Sequence, residues 1–230
     1  TTEIVPIPST GDLILDKPLY ELWITGIFTK NLDISLLNEQ IDIAVHSLKD
    51  VPTSLPQGIM QGAVLKRANY SDLLVLKDTE EFFGQPGGII ATGSLRRKAM
   101  WLNRFPTHKV EDLRGNVNTR LEKLENSETW NGAIFAAAGL ERLGLREKGA
   151  IPLTWMIPAP AQGAIMVACL EKDQFVIDAC EQLNHYETRV CVGIEREFLR
   201  LLEGGCTAPI GALAYVDEKT QEINFKGILL

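Results

Sequence analysis

Short apolar runs alternate along this chain with segments of helical periodicity, and this alternation constrains the fold more than any other feature. Three runs are short enough to be buried strands and end at polar or glycine-containing loops, at residues 41–46, 87–92 and 133–138. Helical patterns adjoin them at residues 32–40, 94–102 and 140–143. Alternating strands and helices are typical of α/β proteins. The sequence therefore predicts an α/β fold, with Ser94 as the polar cap of the second helix.

Two segments indicate where the chain crosses between two lobes. A polar stretch at 66–72 separates the first strand group from the second, and residues 158–163 combine rigid prolines with a flexible glycine. Two crossings predict a hinged pair of α/β lobes that encloses a cleft. We assign residues 1–66 and 164–183 to domain 1, residues 67–163 to domain 2 and residues 184–230 to domain 3.

The third domain is expected to begin with an amphipathic helix over residues 187–203, which Gly204 and Gly205 end. Its apolar residues recur at helical spacing and are Val190, Ile194, Phe198, Leu201 and Leu202. Two strand-like runs at 212–216 and 223–229 predict a hairpin. Because the sequence stops within the second run, we expect this α+β domain to be incomplete.

Composition places the chain among soluble globular proteins. Hydrophobic residues make up 45% of it, and no apolar stretch approaches the roughly 20 residues that span a bilayer, so we expect no membrane binding. The initial residues TTEIVPIPSTGD do not resemble a secretory signal, which favours the cytoplasm. A net charge of -7 argues against nucleic-acid binding. The histidines and cysteines form no metal-ligand pattern, and we expect no metal.

Basic side chains are concentrated in one region of this acidic chain. They are Arg96, Arg97, Lys98, Arg104, Lys109, Arg114, Arg120 and Lys123. Such an island indicates a focused anion site, although a solvated helix face would give the same pattern. Adjacent helix positions lie on different faces, so we expect Arg96 and Arg97 to bind different carboxylates.

The loops around these arginines suit an anionic ligand. Thr92 and Ser94 supply hydroxyls at a helix start, where backbone N–H groups favour anions. Gly115 lies between Arg114 and Arg120 and would let the backbone approach a ligand; Arg142 follows a strand. For each motif alone, surface salt bridges are the better explanation. Together they predict a ligand with several carboxylates or phosphates.

Lys49 and Asp50 form the second candidate site. They lie in a polar loop directly after the strand at 41–46, and such loops carry ligand-binding and catalytic groups in α/β proteins. The neighbouring lysine favours an ionised Asp50, which could stabilise a developing cation or transfer a proton. The alternative is that Asp50 caps a turn.

Cys206 differs from the other three cysteines, Cys169, Cys180 and Cys191, which lie in apolar surroundings and are predicted to be core residues. It follows two glycines, so its thiol is expected to be accessible, with room for a bulky adduct. An ordinary loop cysteine is the alternative. The residues alone thus predict an anion-binding α/β protein with a candidate modified thiol and leave its reaction open.

Seven motifs run in order through nearly the whole chain. They are GIFTK at 26–30, DIAVHSLKDVP at 42–52, SLRR at 94–97, LRGNV at 113–117, AGLERLG at 138–144, PAQGA at 160–164 and LEGGCTAPIG at 202–211. In order and spacing they resemble the porphobilinogen deaminase (hydroxymethylbilane synthase) family. The resemblance implies three α/β domains, the first two folded like hinged periplasmic binding proteins. It also implies a monomeric transferase of haem biosynthesis that joins four porphobilinogen units head to tail, with loss of ammonia, and releases hydroxymethylbilane.

The same resemblance implies the site residues. Cys206 would carry a dipyrromethane cofactor through a thioether, and Asp50 would contact pyrrole nitrogens, stabilise the azafulvenium cation and assist proton transfer. Acetate and propionate groups of cofactor and substrate would be held by Ser47, Lys49, Thr92, Ser94, Arg96, Arg97, Arg114, Gly115, Arg120 and Arg142. Lys30 would bind substrate in the same way.

The chain departs from the family pattern in places. Nothing resembling the family's Arg-x-Ser strand precedes Thr1, Thr25 stands where a lysine is common, and residues 91–94 read Ala-Thr-Gly-Ser in place of Gly-Thr-Ser-Ser. Two alternatives therefore remain beside the transferase. One is a non-catalytic anion-binding module of the same two-lobe fold, and the other is a truncated, inactive deaminase.

Overall fold

The computed structural model describes residues 2–8, 26, 28–77, 79–145, 149–202 and 208–230. In chain order the elements are α1 (Lys30–Leu37), β1 (Ile43–Ser47), a 3-10 turn (Leu48–Asp50), β2 (Ile59–Val64), β3 (Asp72–Leu76), a second 3-10 turn (Glu80–Gly84), β4 (Ile89–Ala91), α2 (Leu95–Arg104), β5 (Lys109–Glu111), α3 (Val117–Asn126), β6 (Gly132–Ala136), α4 (Ala137–Arg142), β7 (Ile151–Pro152), β8 (Ile165–Leu170), α5 (Gln174–Glu181), α6 (Tyr186–Leu201), β9 (Ile210–Val216) and β10 (Ile223–Leu229). The α/β class is confirmed.

The first lobe contains a three-stranded antiparallel sheet of order β1-β8-β2. One face of β1 is buried through Ala44 and His46, because alternate side chains of a strand point to opposite faces. These residues lie near a core that includes Leu36 of α1 and Met166 of β8. The turn Leu48–Asp50 follows β1 directly, and Leu48 anchors it in this core while Lys49 and Asp50 are partly exposed.

The second lobe is a five-stranded mixed sheet of order β5-β4-β6-β3-β7, in which β4 runs parallel to β5 and β6. Its two faces are both covered. Leu73 and Ala133 face a core completed by α3 and α4, whereas Leu74 and Ile134 face Trp101 of α2. A sheet buried on both faces explains why its strands are continuous apolar runs.

The two crossing segments lie against each other. The Ala68 amide donates a hydrogen bond of 3.1 Å to the Gly163 carbonyl. Gly163 has a φ of 88°, and a Cβ at this position would lie 2.7 Å from the Ala68 oxygen, so only glycine fits. The two predicted crossings thus form one double-stranded connection between the sheets, while the domain boundaries themselves remain a prediction.

The α6 helix and the β9–β10 hairpin form the third unit, and α6 packs on β9. The hairpin is confirmed at the predicted position. The buried face of α6 differs from the prediction, because Leu201 is 67% exposed while Glu195 is fully buried. Glu195 is buried because it accepts three hydrogen-bonding partners, which apolar periodicity cannot reveal.

Two further sequence predictions are wrong in detail. Ala137 and Ala138 belong to α4 rather than to the preceding strand, since an alanine run has no period that separates helix from strand. The first strand is buried on one face only, because Val45 is 55% exposed.

The three cysteines predicted to be core residues, Cys169, Cys180 and Cys191, are buried and free. Within the described ranges, no helix is long and apolar enough to cross a membrane.

Candidate active site

A cavity of about 470 Å³ lies between the turn after β1 and the arginine-bearing loops of the second lobe. It contains most of the predicted site residues. Its lining residues are Phe28, Lys49, Asp50, Gly93, Ser94, Leu95, Arg96, Arg97, Leu113, Arg114, Gly115, Asn116, Val117, Arg120, Leu143, Ala159, Gln162 and Ala208. Groups up to 180 positions apart in the sequence, Phe28 and Ala208, thus line one cleft.

Lys49 and Asp50 enter the cleft from the first lobe on the 3-10 turn that follows β1. The turn is held by the Leu48 amide, which donates to the Ala164 carbonyl at 3.0 Å, and by the Val51 amide, which donates to the Leu48 carbonyl at 3.2 Å. Burial lowers the pKa of Lys49, and the charge of Asp50 opposes that shift. The two side chains therefore interact electrostatically, as predicted from their adjacency.

Arg96 and Arg97 enter from the start of α2 and share one internal carboxylate. Arg97 donates through Nε and Nη2 to Oδ1 of Asp72, at 3.0 and 2.7 Å, while Nη1 of Arg96 lies 2.8 Å from Oδ2. The sequence predicts that the two arginines bind different carboxylates. Within the protein this is wrong, because both bind Asp72. Long side chains on neighbouring faces can converge on a group that lies beneath the helix start.

Asp72 is almost fully buried and carries its charge at this junction. Burial alone would raise its pKa, but the charges of Arg96 and Arg97 and a hydrogen bond from Gln162 hold the pKa well below its usual range. The Gln162 amide donates to Oδ1 of Asp72 and to the Tyr70 carbonyl, both at 2.8 Å. The arginines are thereby connected to the second crossing segment.

The hydroxyl groups at the start of α2 satisfy backbone donors. Ser94 is the N-cap, as predicted, and its Oγ accepts from the Arg97 amide at 3.4 Å. The Ser94 amide donates to Oγ1 of Thr92 at 3.3 Å, and Thr92 is 2% exposed. Thr92 does not line the cavity and instead supports the loop that does.

Arg114 and Arg120 complete the basic wall. Burial first, and then the charges of Arg97 and Arg114, lower the pKa of Arg120 to about 10, while Asp50 opposes this shift. Its Nε donates to the Gly115 carbonyl at 2.6 Å. Gly115 has a φ of 116°, and a Cβ there would meet the Thr119 side chain at 2.9 Å. Backbone conformation thus requires this glycine, whatever ligand approaches it.

Four predicted site residues do not line the cavity. Ser47, Thr92, Lys30 and Arg142 lie outside its lining, and Nη2 of Arg142 donates to the Gly163 carbonyl at 2.9 Å. Cys206 lies outside the described residues, although Ala208, two positions later, lines the cavity. In the part of the chain that the structure describes, no cluster of residues could hold a metal ion.

The sequence does not identify three residues as parts of this site, namely Asp72, Gln162 and Phe28. Asp72 opens a buried strand, and an isolated acid at such a position signals a buried partner. The sequence places Gln162 in a crossing segment, and nothing in it shows that the Gln162 amide contacts Asp72. Phe28 lies within the GIFTK motif and provides the cavity with an aromatic face.

Solved structures of two-lobe binding domains resemble the chain only distantly. The periplasmic VFT2 domain of BvgS from Bordetella pertussis is 12% identical, with a TM-score of 0.42 over 74% of this chain and 72% of that chain. The BenM effector-binding domain with benzoate is 14% identical, with a TM-score of 0.42 over 76% and 77% of the two chains. These values carry no argument about function.

Family models cover nearly the whole chain. The model described as "Porphobilinogen deaminase, dipyromethane cofactor binding domain" matches residues 1–178, and "Porphobilinogen deaminase, C-terminal domain" matches residues 189–230. Between them, the two models include Asp50, Cys206 and the arginines of the cleft. They confirm the resemblance inferred from the seven motifs.

Individual relatives of known sequence indicate the same family. The porphobilinogen deaminase of Desulforamulus reducens is 46% identical over 92% of this chain and 69% of its own. The chloroplastic enzyme of Oryza sativa is 43% identical over 99% of this chain and 64% of its own. The enzyme of Alkaliphilus metalliredigens is 41% identical over 100% and 72% of the two chains. This chain, which spans about two thirds of the length of these relatives, belongs to the porphobilinogen deaminase family, the hydroxymethylbilane synthases of tetrapyrrole biosynthesis.

Proposed function

We propose that this chain carries the active cleft of a transferase that joins four porphobilinogen molecules head to tail, with loss of ammonia, into hydroxymethylbilane on a dipyrromethane primer. One observation carries the proposal most directly. Asp50 on the first lobe faces a wall of arginines on the second lobe across a single cavity, in a chain whose family model is the cofactor-binding domain.

The residues of the cleft fit a dipyrromethane. Each pyrrole carries two carboxylates, so the cofactor needs several cationic partners at close range. Five cationic side chains line the cavity, and Asp50 is the one carboxylate among its described lining residues. Nε of Arg96 is buried and makes no hydrogen bond with the described residues. A buried donor of this kind costs free energy unless a ligand satisfies it. When bound, the cofactor supplies the pyrrole carbon to which the first substrate is joined.

Asp50 is the group that we propose touches the reacting pyrrole. A carboxylate that is held opposite cationic walls can stabilise positive charge as it develops when ammonia leaves, and it can hold a proton during that step. Lys49 and Arg120 surround it with positive charge, which favours an ionised Asp50 before substrate enters. Positive charge that develops on the substrate is therefore stabilised next to Asp50, the one carboxylate among the described lining residues.

The arginines are proposed to bind carboxylates in unequal ways. Arg97 uses Nε and both Nη atoms on Asp72 and the Ile134 carbonyl, so fewer of its donors are left for a ligand. Among the described residues, Arg96 contacts Asp72 and the Ile157 carbonyl through Nη1. We therefore propose that Arg96, with Arg114 and Arg120, provides the principal ligand contacts and that Arg97 holds the wall in place.

The remaining site residues are carried over as proposals from the family resemblance. Cys206 is proposed to attach the cofactor through a thioether. Ser47, Lys49, Thr92, Ser94 and Gly115 are proposed to support its binding, and Lys30 and Arg142 are proposed to bind substrate. We further propose a monomeric, cytoplasmic enzyme that binds neither membranes nor nucleic acid; the net charge of -7 supports the last point.

The first test is the intact mass of the holoenzyme, followed by peptide mapping around Cys206. We expect an added dipyrromethane on that cysteine and consumption of porphobilinogen. An unmodified thiol that stays unmodified when porphobilinogen is added would instead support a non-catalytic anion-binding module.

The second test is Asp50→Asn in the holoenzyme. Because the amide cannot carry the negative charge, we expect kcat to fall by about 10²-fold or more while the cofactor stays attached. Asp42→Asn, at the exposed position directly before β1, is the matched control and should retain full turnover. Substantial turnover by Asp50→Asn would remove Asp50 from this role.

A further inference from the structure

We propose that Arg196, on α6, is a positioning residue that fixes the backbone of the Asp50 turn from the third unit of the fold. This inference rests on the proposed transferase function and adds a residue that lies outside the cavity lining. It concerns how the turn is held rather than which groups touch the substrate.

The contacts of Arg196 surround the turn at its carboxyl-terminal side. Nη1 donates to the Val51 carbonyl at 2.9 Å and to the Leu48 carbonyl at 3.3 Å, and Nη2 donates to the Pro52 carbonyl at 2.6 Å. One guanidinium therefore binds three carbonyl groups that lie on both sides of Lys49 and Asp50. Its planar fork fixes their relative positions in a way that a single point charge could not.

The turn is three residues long, and among the described residues the backbone bonds outside helices and strands do not include the Val51 or Pro52 carbonyl. The Leu48 amide donates to the Ala164 carbonyl at 3.0 Å, and the Val51 amide donates to the Leu48 carbonyl at 3.2 Å. Pro52 has no N–H, so it cannot extend this pattern. Val51 is buried, and its carbonyl group would cost free energy if it were left without a donor.

The helix that carries Arg196 is itself held firmly. Its neighbour Glu195 is fully buried, accepts two hydrogen bonds from Arg67 at 2.6 and 3.0 Å, and also accepts from the Ala161 and Ala214 amides. Adjacent residues of α6 thus contact both crossing segments and the Asp50 turn. A displacement of α6 would consequently be transmitted to Asp50.

Such positioning has a measurable consequence. A misplacement of a catalytic group by about 1 Å can cost on the order of 10² in rate without changing substrate affinity. Because Arg196 lies outside the cavity lining, its loss should lower kcat while KM for porphobilinogen stays near its original value.

The experiment compares Arg196→Lys with the parent holoenzyme. The lysine keeps the charge but cannot reproduce the fork, so we expect kcat to fall by about 10-fold or more with KM changed less than about 2-fold. Amide hydrogen exchange at Lys49, Asp50 and Val51 should become faster. Arg200→Gln, one turn further on the same helix and in an exposed pair with Glu197, is the matched control and should change neither quantity.

Arg196→Ala with added guanidinium provides an independent arm. Guanidinium can occupy the vacated site, so it should restore part of kcat, whereas the same concentration of sodium chloride should not. Unchanged kcat and exchange in Arg196→Lys would overturn the proposal, as would failure of both variants to form folded holoenzyme. If the parent itself does not consume porphobilinogen, the proposed function fails, and the exchange comparison still tests the positioning.

Discussion

Asp72 shows how a single residue sets the properties of the anion site. Its carboxylate compensates part of the charge of Arg96 and Arg97 and, with Gln162, orients both side chains toward the cleft. The sequence indicates the arginines because they are clustered, but it does not reveal their partner. Asp72 is 25 positions from Arg97 and meets it only after α2 has packed on the second sheet. The sequence thus predicts the arginines of the site but not the carboxylate with which they pair.

Replacement of Asp72 by asparagine should destabilise the fold. The variant leaves two buried guanidinium groups without their counter-charge, and we expect the free energy of unfolding at neutral pH to fall by about 3 kcal/mol. The folded pKa of Asp72 lies below its unfolded value, so the carboxylate stabilises the fold above the unfolded pKa. The difference from the parent should therefore narrow as pH falls below about 4.

Urea unfolding at neutral and at acidic pH measures both effects. Asp178→Asn, on the exposed surface of α5, is the matched control and should change stability little at either pH. A pH-independent difference for Asp72→Asn would show that the charge of Asp72 does not stabilise the fold.

Among the helices and strands, the sequence predicts best those helix ends that a capping side chain identifies. Ser94 marks the start of α2 and is confirmed as its N-cap. The Ala137–Arg142 helix has no such marker at its start, since Ala136 makes no side-chain cap, and the apolar run therefore predicts its first residues as part of the preceding strand. Tertiary contacts decide the remainder: the buried face of α6 includes Thr188 and Glu195, and both bind Arg67 of the first crossing segment.

The start of α3 provides a prediction at this scale. Asn116 is its N-cap and accepts a hydrogen bond from the Thr119 amide at 2.9 Å. Asn116→Ala should lower the free energy of unfolding by about 1 kcal/mol, because a helix-end N–H loses its acceptor. Asn126→Ala, at the exposed last position of α3, should not destabilise the protein, since alanine is the better helix former. Equal losses in thermal or urea unfolding would contradict a capping role.

At the scale of the whole molecule, the sequence predicts where the chain crosses between the two lobes, and the structure shows how the two crossings are held together. Residues 66–72 and 158–163 are identifiable by their polar, proline and glycine content. The pairing of the sheets around them is not identifiable, because strands such as β3 and β6 are far apart in sequence. Nor could the sequence show that Glu195, in the third unit, binds both crossings through Arg67 and the Ala161 amide.

This buried pair leads to a prediction about how the three units are held together. The Glu195 side chain is fully buried and that of Arg67 is 11% exposed. Glu195→Gln keeps an acceptor for one backbone amide but leaves a buried guanidinium without its charge, so we expect a loss of about 3 kcal/mol in the free energy of unfolding. Arg67→Met should also destabilise, because it leaves the carboxylate uncompensated.

The double variant separates charge pairing from packing. If the two charges depend on each other, Arg67→Met with Glu195→Gln should be more stable than the sum of the single losses by at least about 1 kcal/mol. Glu39→Gln, in the exposed pair with Lys172, should change stability by less than about 1 kcal/mol. Urea unfolding of the four variants decides the matter. Strict additivity would mean that the crossings are held by packing alone, whereas a positive coupling would identify the ion pair as the link between the crossings and the helix that carries Arg196.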